Sequence, residues 1–266
     1  MIPKIIHYCW LGNDPYPEKI QRCIDSWSKY LPDYEFVLWN KERFDIHSVP
    51  WVEQAYEAKK YAFAADYIRA YALANYGGIY LDSDVEVLKS FDDLLDLPYF
   101  MGTERYALSG TIEAAVVGAV PHHPFYEKLL AHYDGREFIK KRELRNEKQE
   151  YDMLPLPQVF KEVIAELGLK EKQIDGIDAF DRDEKTLCIF PVDYFSPKDN
   201  RTQRINKTKQ TYAIHHFAGS WNSKEDKSFA TRIHRLVGDK IYYACFAVPY
   251  FKLKDFIRAR KSRFLK

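Results

Sequence analysis

Cysteine is scarce, and what there is does not cluster. Cys9, Cys23, Cys188 and Cys245 are spread over 266 residues, with no pair at metal-ligand spacing. They read as reduced, buried, small apolar residues rather than as a metal site. Long hydrophobic runs are also missing. No stretch approaches the ~20 apolar residues that a membrane span requires, and no secretory signal precedes Ile2, so cytoplasmic residence is the expectation. Internal repeats and linkers are absent too, which argues against cutting the chain in two. Apolar residues make up 46% of the sequence, and that length and composition support a buried core.

An excess of charge of one sign is lacking overall, with a net charge of +1. The distribution is uneven. Residues 252–266 hold seven Lys or Arg against the single acid Asp255, whereas the other 251 residues carry 33 basic and 38 acidic groups. A near-neutral body with one cationic tail is not a nucleic-acid-binding profile, which would show a broad basic face. Ile241–Phe251 is an aromatic and apolar run interrupted by Pro249, and after it Leu253, Phe256 and Ile257 share one helical face. The sequence therefore divides into a body, residues 1–240, and a basic amphipathic tail, 241–266, suited to lying on an anionic membrane surface.

Strand and helix patterns alternate along the body. Strands are expected at Ile2–Tyr8, Glu35–Trp39, Gly78–Leu81, Pro98–Gly102, Ala114–Val120, Leu187–Phe190 and Thr211–His215. Helices are expected at Glu18–Lys29, Lys59–Tyr76, Pro124–Tyr133 and Gln158–Leu167. Asn40–Glu57 mixes loop and short helix, and the charge-dense Gly135–Glu150 reads as a solvated helix or loop. Such alternation predicts an α/β fold with a mostly parallel sheet covered by helices.

The most informative stretch is Asn75-Tyr-Gly-Gly-Ile-Tyr-Leu-Asp-Ser-Asp84. A helix ends, two glycines follow, and a short apolar strand delivers two carboxylates at its carboxyl end. An α/β sheet opens its binding crevice there. Paired carboxylates suit an octahedral divalent ion such as Mn2+ or Mg2+, whose other positions take water and phosphate oxygens. In the preceding helix Ala62, Ala65, Ile68, Ala72 and Leu73 recur at three- and four-residue spacing. Asp66 and Arg69 share one face of it, either as a structural ion pair or facing a nucleotide: Asp66 toward ribose hydroxyls, Arg69 toward base or phosphate. Tyr80 alternates with Leu81 and so shares the face of Asp82, from which it can reach a donor.

The whole segment Tyr61-Ala-Phe-Ala-Ala-Asp-Tyr-Ile-Arg-Ala-Tyr-Ala-Leu-Ala-Asn-Tyr-Gly-Gly-Ile-Tyr-Leu-Asp-Ser-Asp84 resembles the core motif of glycosyltransferase family 32. These are DXD-containing sugar transferases related to yeast initiating mannosyltransferases, bacterial capsule and lipopolysaccharide glycosyltransferases, and clostridial glucosylating toxins. Ile2-Pro-Lys-Ile-Ile-His-Tyr-Cys-Trp-Leu-Gly12 is similar to the family's opening strand, and His215-His-Phe-Ala-Gly-Ser-Trp221 to its closing element. The resemblance implies a GT-A nucleotide-sugar-transferase fold and transfer of a hexose from a nucleotide diphosphate, with uridine favoured by the Trp10 element. It places Trp10 on the nucleobase, Ser220 and Trp221 near the diphosphate, and Asp82 and Asp84 on the metal. His216 is the third ligand it suggests, with His215 as the competitor, since adjacent strand residues point to opposite faces. His7 reads as structural.

Related enzymes retain the anomeric configuration through front-face attack, which requires no separate carboxylate base; by chain order alone Glu113 and Asp152 lie in the right region. The acceptor is expected to be a saccharide, lipid-linked if the tail docks on a membrane, as in capsule or surface polysaccharide assembly. The chain departs from the family at Leu154-Pro-Leu-Pro157, where many members carry a Thr-Gly-Pro-like element. Two other classes compete. In a haloacid-dehalogenase-type phosphatase Asp82 would be the nucleophile, but the motif stands after about 80 residues of folded pattern and lacks downstream partners. A non-catalytic sugar-nucleotide-binding module would not need the intact acidic pair.

Overall fold

The computed structural model describes residues 1–106, 109–140, 150–199 and 203–218. The elements discussed below belong to one compact unit, Met1–Lys198 with Ile205–Trp221. The basic tail, with the expected boundary at 240, lies outside the described residues, as do Ser220, Trp221 and Cys245. Among the described residues no helix is long and apolar enough to cross a membrane.

The first strand, β1 (Ile5–Cys9), leads to α1 (Glu18–Tyr30), β2 (Glu35–Trp39), α2 (Pro50–Glu57) and α3 (Tyr61–Tyr76). Next come β3 (Gly78–Leu81), β4 (Val85–Val87), β5 (Tyr99–Phe100), a hairpin of β6 (Thr103–Tyr106) and β7 (Ser109–Ile112), β8 (Val116–Ala119) and α4 (Pro124–Ala131). The short pair β9 (Ile139–Lys140) and β10 (Glu150–Tyr151) precedes α5 (Leu156–Leu167), β11 (Lys170–Gln173), β12 (Thr186–Ile189), α6 (Val192–Phe195) and β13 (Ala213–His215).

The central sheet has the order β2-β1-β3-β8-β5. Strands β2, β1 and β3 are parallel, β8 is antiparallel to both β3 and β5, and four of the five strands therefore share one direction. The fold is the expected mixed α/β architecture, a central sheet flanked by helices. Strand alternation divides its side chains between two cores. Cys9, Val37, Tyr80 and Val117 join one apolar cluster with α2, α3, α4 and α5. Ile6, Ile79, Leu81 and Val116 join a second with Trp27 of α1. Because both faces are covered, all four residues of β3 are buried.

α3 presents Ala64, Ala70, Ala72 and Ala74 among its buried residues, small side chains that let its backbone approach its neighbours closely. It stops at Gly77, whose N–H still donates to the Leu73 carbonyl. Gly77 and Gly78 have φ of 64° and 91°, so the chain reverses from helix to strand through two left-handed residues in succession. His7 sits beneath this junction, 1% exposed. Its Nδ1 accepts from the Trp39 indole N–H at 3.2 Å, which leaves Nε2 to donate to the Gly77 carbonyl at 2.8 Å. Burial pushes the imidazole down to about 4, so the ring is neutral and its tautomer set. His7 is structural, as expected.

Several elements were not expected from the sequence. β4 is only three residues long, the β6–β7 hairpin has no apolar alternation, and the exposed β11 pairs in parallel with β12. The two ends of the charge-dense segment pair as β9 and β10, and 141–149 lie outside the described residues. The opening strand begins at Ile5 rather than Ile2, whose N–H donates to Leu95.

Candidate active site

β3 ends at Leu81, and the next residues form a tight turn in which the Val85 N–H donates to the Asp82 carbonyl at 3.0 Å. The Asp82 N–H donates to Ala115 at 2.9 Å, which ties the turn to the start of β8. Asp82 Oδ1 accepts from the Arg69 guanidinium at 2.7 Å. Arg69 is 4% exposed, lies with its charge 4.3 Å from the centre of the Tyr80 ring, and keeps a second contact with Asp66 at 3.4 Å. Burial pushes the Asp66 carboxyl up to about 7, against the pull of Arg69. The expected sharing of one helical face by Asp66 and Arg69 is present, and the pair is joined to the acidic turn. Tyr80 does share the face of Asp82, but at 1% exposure it lies beneath Arg69. It is a platform for the guanidinium rather than a surface open to a donor.

Asp84 is 7% exposed. Its Oδ2 accepts from the Ala218 N–H at 2.6 Å, and its carbonyl accepts from the His216 N–H at 3.1 Å. Both bonds follow from β13 pairing antiparallel with β4, His215 opposite Val85. That register decides between the two histidines. His215 turns its Nε2 toward Asp84 Oδ1, 3.6 Å away. His216 points to the other side, where its Nε2 meets Glu86 at 2.8 Å, and its carbonyl accepts from Lys198 at 2.9 Å. The expectation that His216 completes the acidic pair is corrected by this placement: the ring facing the carboxylates is His215.

Two further carboxylates meet the same ring. Glu113 is fully buried; one oxygen accepts from the Ser196 hydroxyl, and Oε2 has no hydrogen-bond partner. Its Oε1 lies 3.4 Å from His215 Nδ1, and Glu104 Oε2 lies 3.9 Å from the same nitrogen, charge contacts without hydrogen-bond geometry. Burial raises the Glu113 carboxyl and takes Glu104 up to about 7, with Glu113 adding to the latter. For His215 burial acts downward, yet Asp84 and Glu113 outweigh it and hold the imidazole at about 9. Chain order had pointed at Glu113. Glu104 carried no signal, since it reaches the site only because the β6–β7 register sets it beside Thr111. Asp152, the other candidate by chain order, faces Lys140 at 3.6 Å.

Once a bound ion displaces the His215 proton, the donor set fits a divalent cation. Asp82, Asp84 and His215 each offer a ligand atom within 4.8 Å of the others. The Asp84 oxygen used by Ala218 is not the one facing His215, and Arg69 occupies one oxygen of Asp82, so a carboxylate oxygen of each remains for an ion. Hard oxygens with one imidazole suit Mn2+ or Mg2+. Trp10 follows β1 at the same end of the sheet, half-buried; its indole N–H donates to the Asp14 carbonyl at 2.8 Å and its ring meets Tyr16 edge-on at 4.9 Å.

Parts of this chain are similar to known proteins. A family model described as a glycosyltransferase sugar-binding region containing DXD motif matches residues 17–101. Mannosyl phosphorylinositol ceramide synthase SUR1 of Saccharomyces cerevisiae is 36% identical over 149 residues, covering 52% of this chain and 37% of that protein. Inositol phosphoceramide mannosyltransferase 3 of Schizosaccharomyces pombe is 40% identical over 133 residues, covering 48% of this chain and 36% of that protein. The chain thus spans little more than a third of the length of these curated relatives. Among solved structures, the PaToxG glycosyltransferase superposes with a TM-score of 0.44 at 23% identity, covering 62% of this chain and 69% of that one. The matched region contains Asp66, Arg69, Asp82 and Asp84. Over residues 17–101 and the stretches shared with these relatives, the chain is similar to DXD-containing glycosyltransferases of the family 32 type.

Proposed function

We propose that this enzyme is a metal-dependent, retaining hexosyltransferase that uses Asp82, Asp84 and His215 to hold a divalent cation against the diphosphate of a nucleotide-sugar donor. The observation that carries the reading is the convergence of those three side chains, with Arg69 locked onto Asp82 from below. Breaking the anomeric C–O bond leaves a diphosphate with additional negative charge. A bound Mn2+ or Mg2+ supplies electrostatic stabilisation of that charge. The chain's own residues do the rest. Arg69 orients Asp82, Ala218 fixes the rotamer of Asp84, and Glu113 and Glu104 hold His215 in place.

Trp10 and Tyr16 are assigned to the nucleobase, and Ser220 and Trp221 to the diphosphate. The uridine expectation rests on Trp10; the mannosyl names of the relatives put guanosine diphosphate mannose beside it as a donor. For the acceptor we propose a saccharide or a sugar-bearing lipid head group, because relatives are named for inositol phosphoceramide. The basic tail, residues 252–266, would hold the enzyme at an anionic membrane where such an acceptor lies. Incubation with Mn2+ and a panel of uridine and guanosine diphosphate hexoses, measuring released nucleotide, tests the reading. Metal-dependent release from one donor, abolished by chelation and by Asp84→Asn, is expected. Near-normal release with Asn at both 82 and 84 would overturn it.

A further inference from the structure

The molecule has a second concavity that the catalytic reading does not use. It is an open pocket of about 360 Å³ between α3, the end of β2 and the residues that follow it. That volume falls within the roughly 300–1,000 Å³ typical of ligand sites. Trp39, Tyr67, Tyr71 and Tyr76 contribute aromatic walls, and Arg43 and Asp45 stand at its rim. The walls are braced. Tyr71 meets Trp39 edge-on at 5.8 Å, Tyr67 and Tyr71 lie nearly parallel at 6.5 Å, and Phe44 holds both from behind. Its helical wall is formed by Tyr67 and Tyr71, which stand on the side of α3 away from Asp66 and Arg69, and none of those acidic-site residues lines it.

We propose that this pocket is a non-catalytic saccharide subsite that engages a sugar ring of the acceptor. Four features of the lining select that chemistry. Aromatic faces pack against the apolar C–H faces of a hexose chair. Phenol hydroxyls and rim charges supply donors and acceptors for hydroxyl groups. Burial raises both Tyr67 and Tyr71, so their hydroxyls stay protonated. Arg43 and Asp45 cancel in formal charge, which leaves no net cation for a phosphate or a diphosphate. Tyr76 is 48% exposed at the mouth, and the Arg43 guanidinium lies 5.9 Å over the Trp39 ring, so an entering ring meets a prepared surface.

The inference rests on the reading of this chain as a transferase with a saccharide acceptor, but its test does not pass through catalysis. Saturation-transfer NMR with methyl α-D-mannopyranoside and methyl α-D-glucopyranoside is run on the full chain. Transfer is expected in the wild type and equally after chelation or in Asp84→Asn. Tyr76→Ala, Arg43→Ala and the pocket-filling Ser48→Trp should each lower affinity about fivefold, the scale of one lost aromatic contact. Tyr76 and Ser48 are exposed, so folding is preserved, and a circular dichroism melt confirms it. Nucleotide release from the donor should stay at the wild-type rate in all three. No transfer to either sugar, transfer indifferent to the three substitutions, transfer abolished by saturating donor nucleotide, or stronger binding of free uridine at this pocket would overturn the proposal. If sugar binding holds while no donor is hydrolysed, it is the catalytic reading that falls.

Discussion

Asp84 and His215 are separated by the whole second half of the fold and by 3.6 Å in space. Removing either should remove a cation ligand, whereas His216 bonds Glu86 on the opposite face. Asp84→Asn and His215→Ala are each expected to lower turnover about 10²-fold or more, the scale of a lost preorganised charge stabiliser. His216→Ala should retain turnover within about threefold, since the bond it loses is a single half-exposed hydrogen bond to Glu86. Steady-state rates on one donor compare all three, and equal losses at 215 and 216 would show the assignment to be wrong. Arg69→Lys is the second test at this scale. A lysine cannot both face the Tyr80 ring and offer a fork to Asp82 and Asp66, so the affinity for Mn2+ should fall even though the charge is conserved. An unchanged Mn2+ titration would mean that Arg69 only fills space.

The junction of α3 with β3 carries the site, and its own stability has a pH signature. His7 is buried neutral, with its pKa depressed from the ordinary 6.5 to about 4. Below 6.5 an unfolded chain binds a proton at this position that the folded chain refuses. Stability is therefore complete above pH 6.5 and declines as the pH falls toward 4, by on the order of 3 kcal/mol at most. His7→Gln, which keeps a donor for Gly77, should flatten that part of the curve in urea unfolding measured from pH 7 to 4. The two glycines are equally specific. A Cβ on Gly78 would sit 2.8 Å from the Ile5 carbonyl oxygen at a φ of 91°. Gly78→Ala should cost about 2 kcal/mol or more, because left-handed strain adds to the clash. A melting temperature within a degree of wild type would contradict this.

Across the whole molecule, what could be read in advance followed from unbroken local periodicity. The alanine-rich helix, its Gly-Gly stop and the apolar strand that delivers Asp82 and Asp84 stand within two residues of expectation. What could not be read depends on register between distant strands. Which of His215 and His216 faces the acidic pair is set by β13 pairing with β4, and three residues of β4 leave no period to recognise. Glu104 is hidden for the same reason, since only the hairpin register aims it at His215. Tyr80 was correctly placed on the face of Asp82, but no local pattern tells that Arg69 would cover it. The membrane proposal belongs to this scale as well. Vesicle sedimentation with and without residues 252–266 should show salt-sensitive binding to anionic vesicles that is lost with the tail; equal partitioning of both would remove it.

The pairing of β13 with β4 also sets a timetable for the molecule's birth. Ala218, which caps Asp84, follows it by 134 residues in the chain. A ribosome adding roughly 5–20 residues per second needs on the order of ten seconds to cover that distance. During that interval the nascent chain can already build β1, β2, α3 and β3 and display both aspartates, yet it lacks the imidazole and the amide that complete their surroundings. If the two aspartates hold a cation as proposed, its capture waits until β13 has been made, after both faces of the sheet have been covered.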